Sequence, residues 1–419
     1  MLYTHVCHGV AVEATRAEPI FLKLTGVPNG MRRSQSVRLG IVANEFFDPD
    51  LGRMGGFGWA ARRAAMTFKN HPKAKISPVF LTAQLRTFHN KPHPSKSKGI
   101  PIVLLHGRRP KNIVRLARQR IDVFLSIDYR PSYDPVFEAA PLTPIITWVR
   151  DPRPPEDVRK MHTLRIPGKP DVKPDGIHAN NTRALAAQAW QFAFLQRRVV
   201  LANKMPHMTK KAEPTYNLPP SPHVLFNPSL LDYSALDVEK STRPTVIFLG
   251  RLDPIKRPWL FFELARRVPE VDFLMMGQNH FNGAGAWEPS SVPPNLQMLG
   301  HVSGQDKLDV LSRAWILVNT SIHEETPVSV LEALAFETPI VSYEDWGDLV
   351  SRHGIVIGQR EGTGEDGLDD LESAVRTLLV NHEERRILGA KGSTYVQSTH
   401  SDENFLRQFL QLLHELELR

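Results

Sequence analysis

Residues 315–343 read WILVNTSIHEETPVSVLEALAFETPIVSY, and the order of their apolar runs decides the fold class. WILVNT (315–320) is a short β-branched strand, and SIHEET (321–326) is a polar loop. Pro327 stands where a helix best accepts proline, in its first turn, because the missing N–H would have no partner there. The helical run that follows is rich in Val, Leu and Ala and gives way to a second strand, PIVSY (339–343). Two strands joined by a helix predict a parallel pair with the helix crossing over one sheet face. Glu324 stands in the approach loop, and Glu332 lies just over one turn after Pro327. This spacing allows both carboxylates to face the amino end of the helix, where unpaired backbone N–H groups gather and anions are welcome. An exposed helix with solvated acids would show the same spacing.

The alternation extends both ways along the chain. TVIFLG (245–250), VDFLMMG (271–277), NLQMLG (295–300) and GIVIG (354–358) complete one set of strands. An earlier set comprises VRLGIVAN (37–44), ISPVFLTA (76–83), IPIVLLHG (100–107), DVFLSID (122–128) and PIITWV (144–149). Helical patterns such as WAARRAAMTF (59–68) and KNIVRLARQR (111–120) fall between them. Two successive α/β sheets with a cleft between them are expected, with ligands at the carboxyl ends of the strands. NTRALAAQAWQFAFLQRRVVLA (181–202) reads as one long helix, and YNLPPSPHVLFNP (216–228) as a connection. Helices are also expected near 366–380, 383–396 and 404–418. The expected organisation is an irregular extension over 1–36, a first α/β domain over 37–215, a second over 216–398, and a closing helix within 399–419.

A chain of 419 residues exceeds what one core supports, in line with two domains. Composition is that of a soluble globular protein, and the single cysteine, Cys7, leaves no internal disulfide and suits a reducing compartment. No run approaches the ~20 apolar residues that span a bilayer. The first thirty residues lack the features of a signal peptide, Met31 reads as an alternative start, and a cytoplasmic location is expected. The net charge of +8 is unevenly placed: no Asp or Glu occurs from Leu51 to Ile121, while Arg53, Lys69, Lys98, Arg120 and a dozen further cations do. A positive field over the 53–120 segment would attract an anionic or lipid-linked acceptor, or the inner face of a membrane; nucleic acid is the less favoured partner. A merely solubilising surface is the equal alternative.

Three motifs bear on chemistry. In FLGRLDPIKRP (248–258), Arg251 and Lys256 flank a turn at a strand's carboxyl end, which suits a diphosphate; a basic surface turn reads the same way. In GRMGGFGWAA (52–61), Gly56, Gly58 and Ala61 satisfy the dinucleotide fingerprint. The loop after the preceding strand is too long for that fingerprint, and no acid follows before Asp122, so NAD is not expected. HEETP has proline where a zinc-protease helix needs its second histidine, and Asp48-Pro49-Asp50 reads as a turn. No metal and no bound cofactor are expected.

Arg251 and Lys256, then Glu324 and Glu332 with seven residues between them, resemble the donor site of glycosyltransferase family four, and EETPVSVLEALAFETPIVS resembles its signature. The likeness is strong over about 245–345, moderate over 37–65 and 121–151, and faint elsewhere. It implies the GT-B fold: two Rossmann-like domains facing a central cleft, with the final helix returning to the N-terminal domain. It implies a retaining, metal-independent hexosyltransferase using a nucleotide-sugar co-substrate, with UDP-glucose the preferred donor, in polysaccharide or glycolipid synthesis. Arg251 and Lys256 would hold the diphosphate, with Thr326, Pro327 and Val328 opening the helix beside it. Glu332 would hold the ribose, Glu324 the donor sugar, and the backbone at His301 and Val302 the base. Gly55 and Gly56 correspond to the glycine loop that closes over the donor. Two positions depart from the family pattern. Glu325 replaces the usual glycine, and Arg150, followed by Asp151, stands where many members have a histidine; Asp151 is the candidate N-domain catalytic group. Asp128 matches a common family aspartate that braces the cleft. The alternatives are a nucleotide-sugar epimerase or phosphorylase of the same fold, or a non-catalytic anion- or membrane-binding protein.

Overall fold

The computed structural model describes residues 36–43, 56–82, 95–105, 109–175, 197–228, 231, 236–279 and 281–418. Gly55 and the Asp48-Pro49-Asp50 turn lie outside them, as does most of the helix expected over 181–202. The first half of the described chain contains β1 (Val37–Val42), α1 (Gly56–Asn70), β2 (Ile76–Thr82), β3 (Lys96–Ser97), β4 (Ile100–Leu104) and α2 (Arg109–Gln119). It continues through β5 (Val123–Ile127), α3 (Asp134–Glu138), β6 (Ile145–Val149), α4 (Pro155–His162), β7 (Val199–Asn203) and α5 (Thr209–Tyr216). The second half contains β8 (Thr245–Leu249), α6 (Pro258–Arg267), β9 (Asp272–Met276), β10 (Leu296–Gly300), α7 (Gly304–Arg313) and β11 (Ile316–Asn319). Then come α8 (Val328–Ala335), β12 (Ile340–Ser342), α9 (Leu349–His353), β13 (Gly354–Val356), α10 (Leu368–Val380), α11 (His382–Thr399) and α12 (Asp402–Glu415).

The strands form two sheets, ordered β3-β4-β2-β1-β5-β6-β7 and β10-β9-β8-β11-β12-β13. Every pairing is parallel except the short β3–β4 edge. Strands buried on both faces explain the unbroken apolar runs, such as fully buried Val123–Ile127 and Ile145–Val149. In each sheet the strand order reverses once, at β1/β5 and at β8/β11, and a crevice opens at such a reversal. Asp128 lies just beyond β5, while Arg251 and the 321–326 loop follow β8 and β11. Gly277 keeps the second crevice compact, since a Cβ there would lie 1.8 Å from the Gly250 carbonyl oxygen.

The helix α12 returns to the first sheet, as the resemblance implies. Ser401 caps it by accepting the Asn404 N–H at 3.1 Å, and Phe405 and Phe409 pack against Phe68 of α1 at ring separations of 5.4 and 4.8 Å. Burying such rings contributes about 1.5–3 kcal/mol each, so this crossing helix ties the chain end firmly to the first half.

One expectation needs correction. Residues 199–202, placed in the long helix, belong to β7 instead; Val199 and Val200 suit a strand, and pairing with β6 supplies their backbone partners. The 216–228 connection runs along the sheet edge, where Val224 bridges Asn203 and the Trp148 indole N–H donates to the Leu225 carbonyl at 2.6 Å. The segment after β6 belongs physically to the second core, into which Met161, Leu164 and Ile166 are buried. Five exposed cations of the basic segment share one side of the first sheet. Exposed Lys73, Lys75, Lys98, Arg118 and Arg120 precede β2, β4 and β5, so they gather at the amino ends of the first sheet, opposite the crevice.

Candidate functional site

Two neighbouring cations at the carboxyl end of β8 have different surroundings. Arg251 is half exposed, its guanidinium 2.9 Å from Asp253. Lys256 ends a single 3₁₀ turn opened by Pro254, and its largely buried ammonium pairs with the Glu324 carboxylate. Burial, with the Arg251 guanidinium alongside, pushes the Lys256 ammonium down to about 7, against the opposing pull of Asp253, Asp151 and Glu344. Arg257, the next residue, turns inward. Its φ is 45°, its side chain is wholly buried, and it donates to the carbonyls of Thr320 (2.7 Å), Ser321 (3.1 Å) and Arg360 (2.9 Å) while lying over the Tyr343 ring. It braces the exit of β11 from below.

That exit carries Glu324. The Ser321 hydroxyl donates to its carboxylate at 3.2 Å, its N–H donates to Glu344 at 2.7 Å, and its carbonyl accepts the Trp346 indole N–H at 3.2 Å. Glu344 in turn pairs with Lys160 of α4 at 2.6 Å. Thr326 adopts φ 46°, a strained value for a β-branched residue, and turns the chain so that Pro327 caps α8. Pro327 is thus one position earlier than expected, outside the helix, and Val328 is its first residue. The chain around Thr326 and Val328 lies at the amino end of α8 beside the Lys256–Glu324 pair.

Glu332, one turn into α8, has different partners. Arg63 of α1 and Lys307 of α7 both donate to its Oε1, at 2.8 and 2.9 Å. Of the two glutamates, Glu324 is the one paired with Lys256 at the helix start, while Glu332 is taken up by Arg63 of α1 and Lys307 of α7. His301 and Val302 follow β10, with His301 exposed. Gly56 is the first residue of α1, with nothing within 4 Å of where a Cβ would sit.

From the first half, Asp128 (φ 57°) is buried and accepts the backbone N–H groups of Tyr129 (2.8 Å), Arg150 (3.0 Å) and Asp151 (2.8 Å), together with the Tyr216 hydroxyl. Burial raises its pKa despite those donors. It fixes the chain at the end of β6, and there the two residues part. Arg150 turns inward, 2.7 Å from Asn227 and 4.6 Å over the Trp148 ring, which takes it out of the crevice. Asp151 turns toward the second half, 3.3 Å from His323 Nε2 and 2.7 Å from Arg153. Burial would raise the Asp151 carboxyl, but Arg153 and His323 hold it well below the usual carboxylate range.

One set of contacts was not foreseen. Glu325 is paired with His207 (3.2 Å) and Lys211, and the Lys204 ammonium donates to the Glu325 and Thr326 carbonyls. Burial depresses Lys204 to about 7. Among the described residues, Asp157, His323 and Glu325 bring ligand-type atoms within 4.8 Å of one another, but Lys211, 3.0 Å from Asp157, already supplies the positive charge between the two acids. The one sequence signal for this cluster was the departure at Glu325.

Comparison with known proteins now bears on these positions. Residues 236–351 match the family model described as Glycosyl transferases group 1. That span contains Arg251, Lys256, Glu324 and Glu332. No curated protein matches the chain. Similar solved structures include sucrose-phosphate synthase from Thermosynechococcus elongatus (14% identity, 91% of this chain and 99% of that one, TM-score 0.64). HepE of Anabaena in complex with UDP-glucose is also similar (12%, 90% and 99%, 0.64). So is the pneumococcal O-GlcNAc transferase GtfA in complex with UDP and GlcNAc (10%, 92% and 100%, 0.62). At such identities the likeness establishes the fold, which is GT-B.

Proposed function

We propose that the protein is a retaining, nucleotide-sugar-dependent hexosyltransferase of glycosyltransferase family four, acting without a metal, with UDP-glucose the preferred donor. The observation that carries this reading is the Lys256–Glu324 pair, flanked by Arg251, at the two central strand ends of a Glycosyl transferases group 1 domain. The UDP-glucose named with HepE and the UDP and GlcNAc named with GtfA support a uridine nucleotide.

In this reading Arg251, Lys256 and the backbone opening α8 hold the diphosphate, and the chain at His301 and Val302 meets the base. Glu332 accepts ribose hydroxyls, and Glu324 accepts one from the sugar. The bond between the anomeric carbon and the diphosphate oxygen breaks with its electron pair leaving on the phosphate, where the two cations stabilise the charge. The acceptor oxygen attacks from the same face and passes its proton to the departing phosphate, so no side-chain base is required. Asp151 lies at the boundary with the first half, where the acceptor would enter. The exposed cations at the amino ends of the first sheet lie away from this chemistry, so they would hold an anionic membrane or acceptor body and not the reacting hydroxyl.

Two expected results follow from the site. Glu332→Gln lowers nucleotide affinity by about tenfold, on the scale of one charge-assisted hydrogen bond, and also lowers thermal stability because Arg63 and Lys307 lose their counter-charge; unchanged affinity by calorimetry would remove Glu332 from the ribose contact. Lys256 also makes binding pH-dependent. With its pKa near 7 in the free protein, it is mostly neutral at about pH 8, and a bound diphosphate raises it, so nucleotide binding there takes up close to one proton. Below about pH 6 the lysine is already charged and uptake is small. Affinity therefore falls as pH rises through 7. Binding enthalpies in buffers of different ionisation enthalpy report the uptake, and equal values at both pH limits would contradict it.

A further inference from the structure

The residue that most departs from the family pattern, Glu325, is also the best-enclosed acid of the donor loop, with its side chain 1% exposed. Its partners come from beyond β7 of the other half. Lys211 and His207 take its two carboxylate oxygens, and Lys204 holds its carbonyl and that of Thr326. His207 reaches it by passing against Gly347, where a Cβ would lie 2.8 Å from the imidazole Nδ1. Burying a carboxylate costs several kcal/mol unless it is paired and hydrogen-bonded, so this acid is committed to its cage. Burial would raise its carboxyl, yet His207 and Lys211 keep it lowered, so it is ionised at neutral pH.

The cage acts where the loop matters most. Glu325 stands between Glu324, which reaches Lys256, and Thr326, whose left-handed turn delivers the chain to α8. The two neighbouring acids reach opposite partners, Glu324 pairing with Lys256 at the crevice and Glu325 with Lys211 and His207 of the first half. Fixing Glu325 toward the first half therefore aims Glu324 toward the crevice. Lys204 holds the strained Thr326 turn from the same side, and Asp151 meets the loop through His323.

We propose that Glu325, caged by Lys211 and His207 across the interface between the halves, is a positioning residue that aims Glu324 at the donor sugar. The proposal rests on the glycosyltransferase reading above. Its effect is on turnover more than on nucleotide binding, because Arg251, Lys256 and Glu332 all belong to the second half.

The test uses the full chain, its Glu325→Gln and Lys211→Met variants and the double variant. UDP titration gives affinity, UDP-glucose cleavage gives turnover, and amide hydrogen exchange over 321–330 reports the loop. The expected result is a loss in turnover of about 100-fold, the scale of misplacing a reacting group by an ångström. UDP affinity stays within about threefold, since one neutral change leaves the phosphate contacts in place. Exchange over 321–330 rises in both single variants, and the double variant shows no further loss because the two residues act as one unit. Wild-type turnover with unchanged exchange in Glu325→Gln would overturn the proposal. Equal losses of turnover, UDP affinity and global stability would also overturn it, marking a purely structural ion pair. If the parent protein neither binds UDP nor cleaves UDP-glucose, the glycosyltransferase reading fails. Exchange over 321–330 then decides the cage by itself: faster exchange in the variants retains it, and unchanged exchange removes it.

Discussion

Lys256→Ala is expected to lower turnover by about 10²–10³-fold, the cost of removing one donor from a developing anion in a water-poor site. The melting temperature should move little. Burial already depresses the Lys256 ammonium to about 7, so the unliganded fold gains little from its charge. Its partner Glu324 keeps the Ser321 hydroxyl. Turnover of a UDP-sugar beside a thermal melt separates the two readouts. Equal loss in both would make Lys256 a structural cation.

Arg257→Met, one residue further on, is expected to do the reverse. It strands the buried carbonyls of Thr320 and Ser321 and leaves the part-buried Arg360 carbonyl without its partner. Each unsatisfied buried acceptor costs about 1–3 kcal/mol, so about 3–5 kcal/mol of stability should disappear from a denaturant titration. A loss below about 1 kcal/mol would mean that water or a neighbouring side chain takes over these carbonyls. Burial holds this guanidinium down to about 10, so it remains charged throughout the neutral range. Adjacent cations in one turn thus divide the work, one toward ligand chemistry and one toward holding the β11 exit in place.

That division was only half visible in the amino-acid sequence. Arg251 and Lys256 stand out because their spacing from a strand end is a local property. Arg257 does not, because its three acceptors lie 63, 64 and 103 residues away. The return of α12 was implied only by the family resemblance, whereas fully buried strands announce themselves through β-branched runs, so both sheets were legible. β7 was not, since Val199 and Val200 follow a stretch with strong helical character and only pairing with β6 decides the matter. Proline in 216–228 suggested a free connection, yet a sheet edge tolerates proline where no ladder N–H is needed. Arg150 was legible as a departure but not as an inward-facing residue, because its destination depends on Trp148 and Asn227. Glu325 appeared only as an unexplained substitution. Its meaning lies in Lys204, His207 and Lys211, more than a hundred residues earlier in the chain.

The most direct measurement is a calorimetric titration of the purified protein, in chelator, with UDP, GDP and ADP and then with their glucose and N-acetylglucosamine conjugates. The account predicts metal-independent binding of one nucleotide, UDP, weakened by Glu332→Gln and accompanied by proton uptake above neutrality. No binding to any of the three nucleotides would contradict it, and would leave Arg251, Lys256 and Glu332 without the ligand assigned to them here.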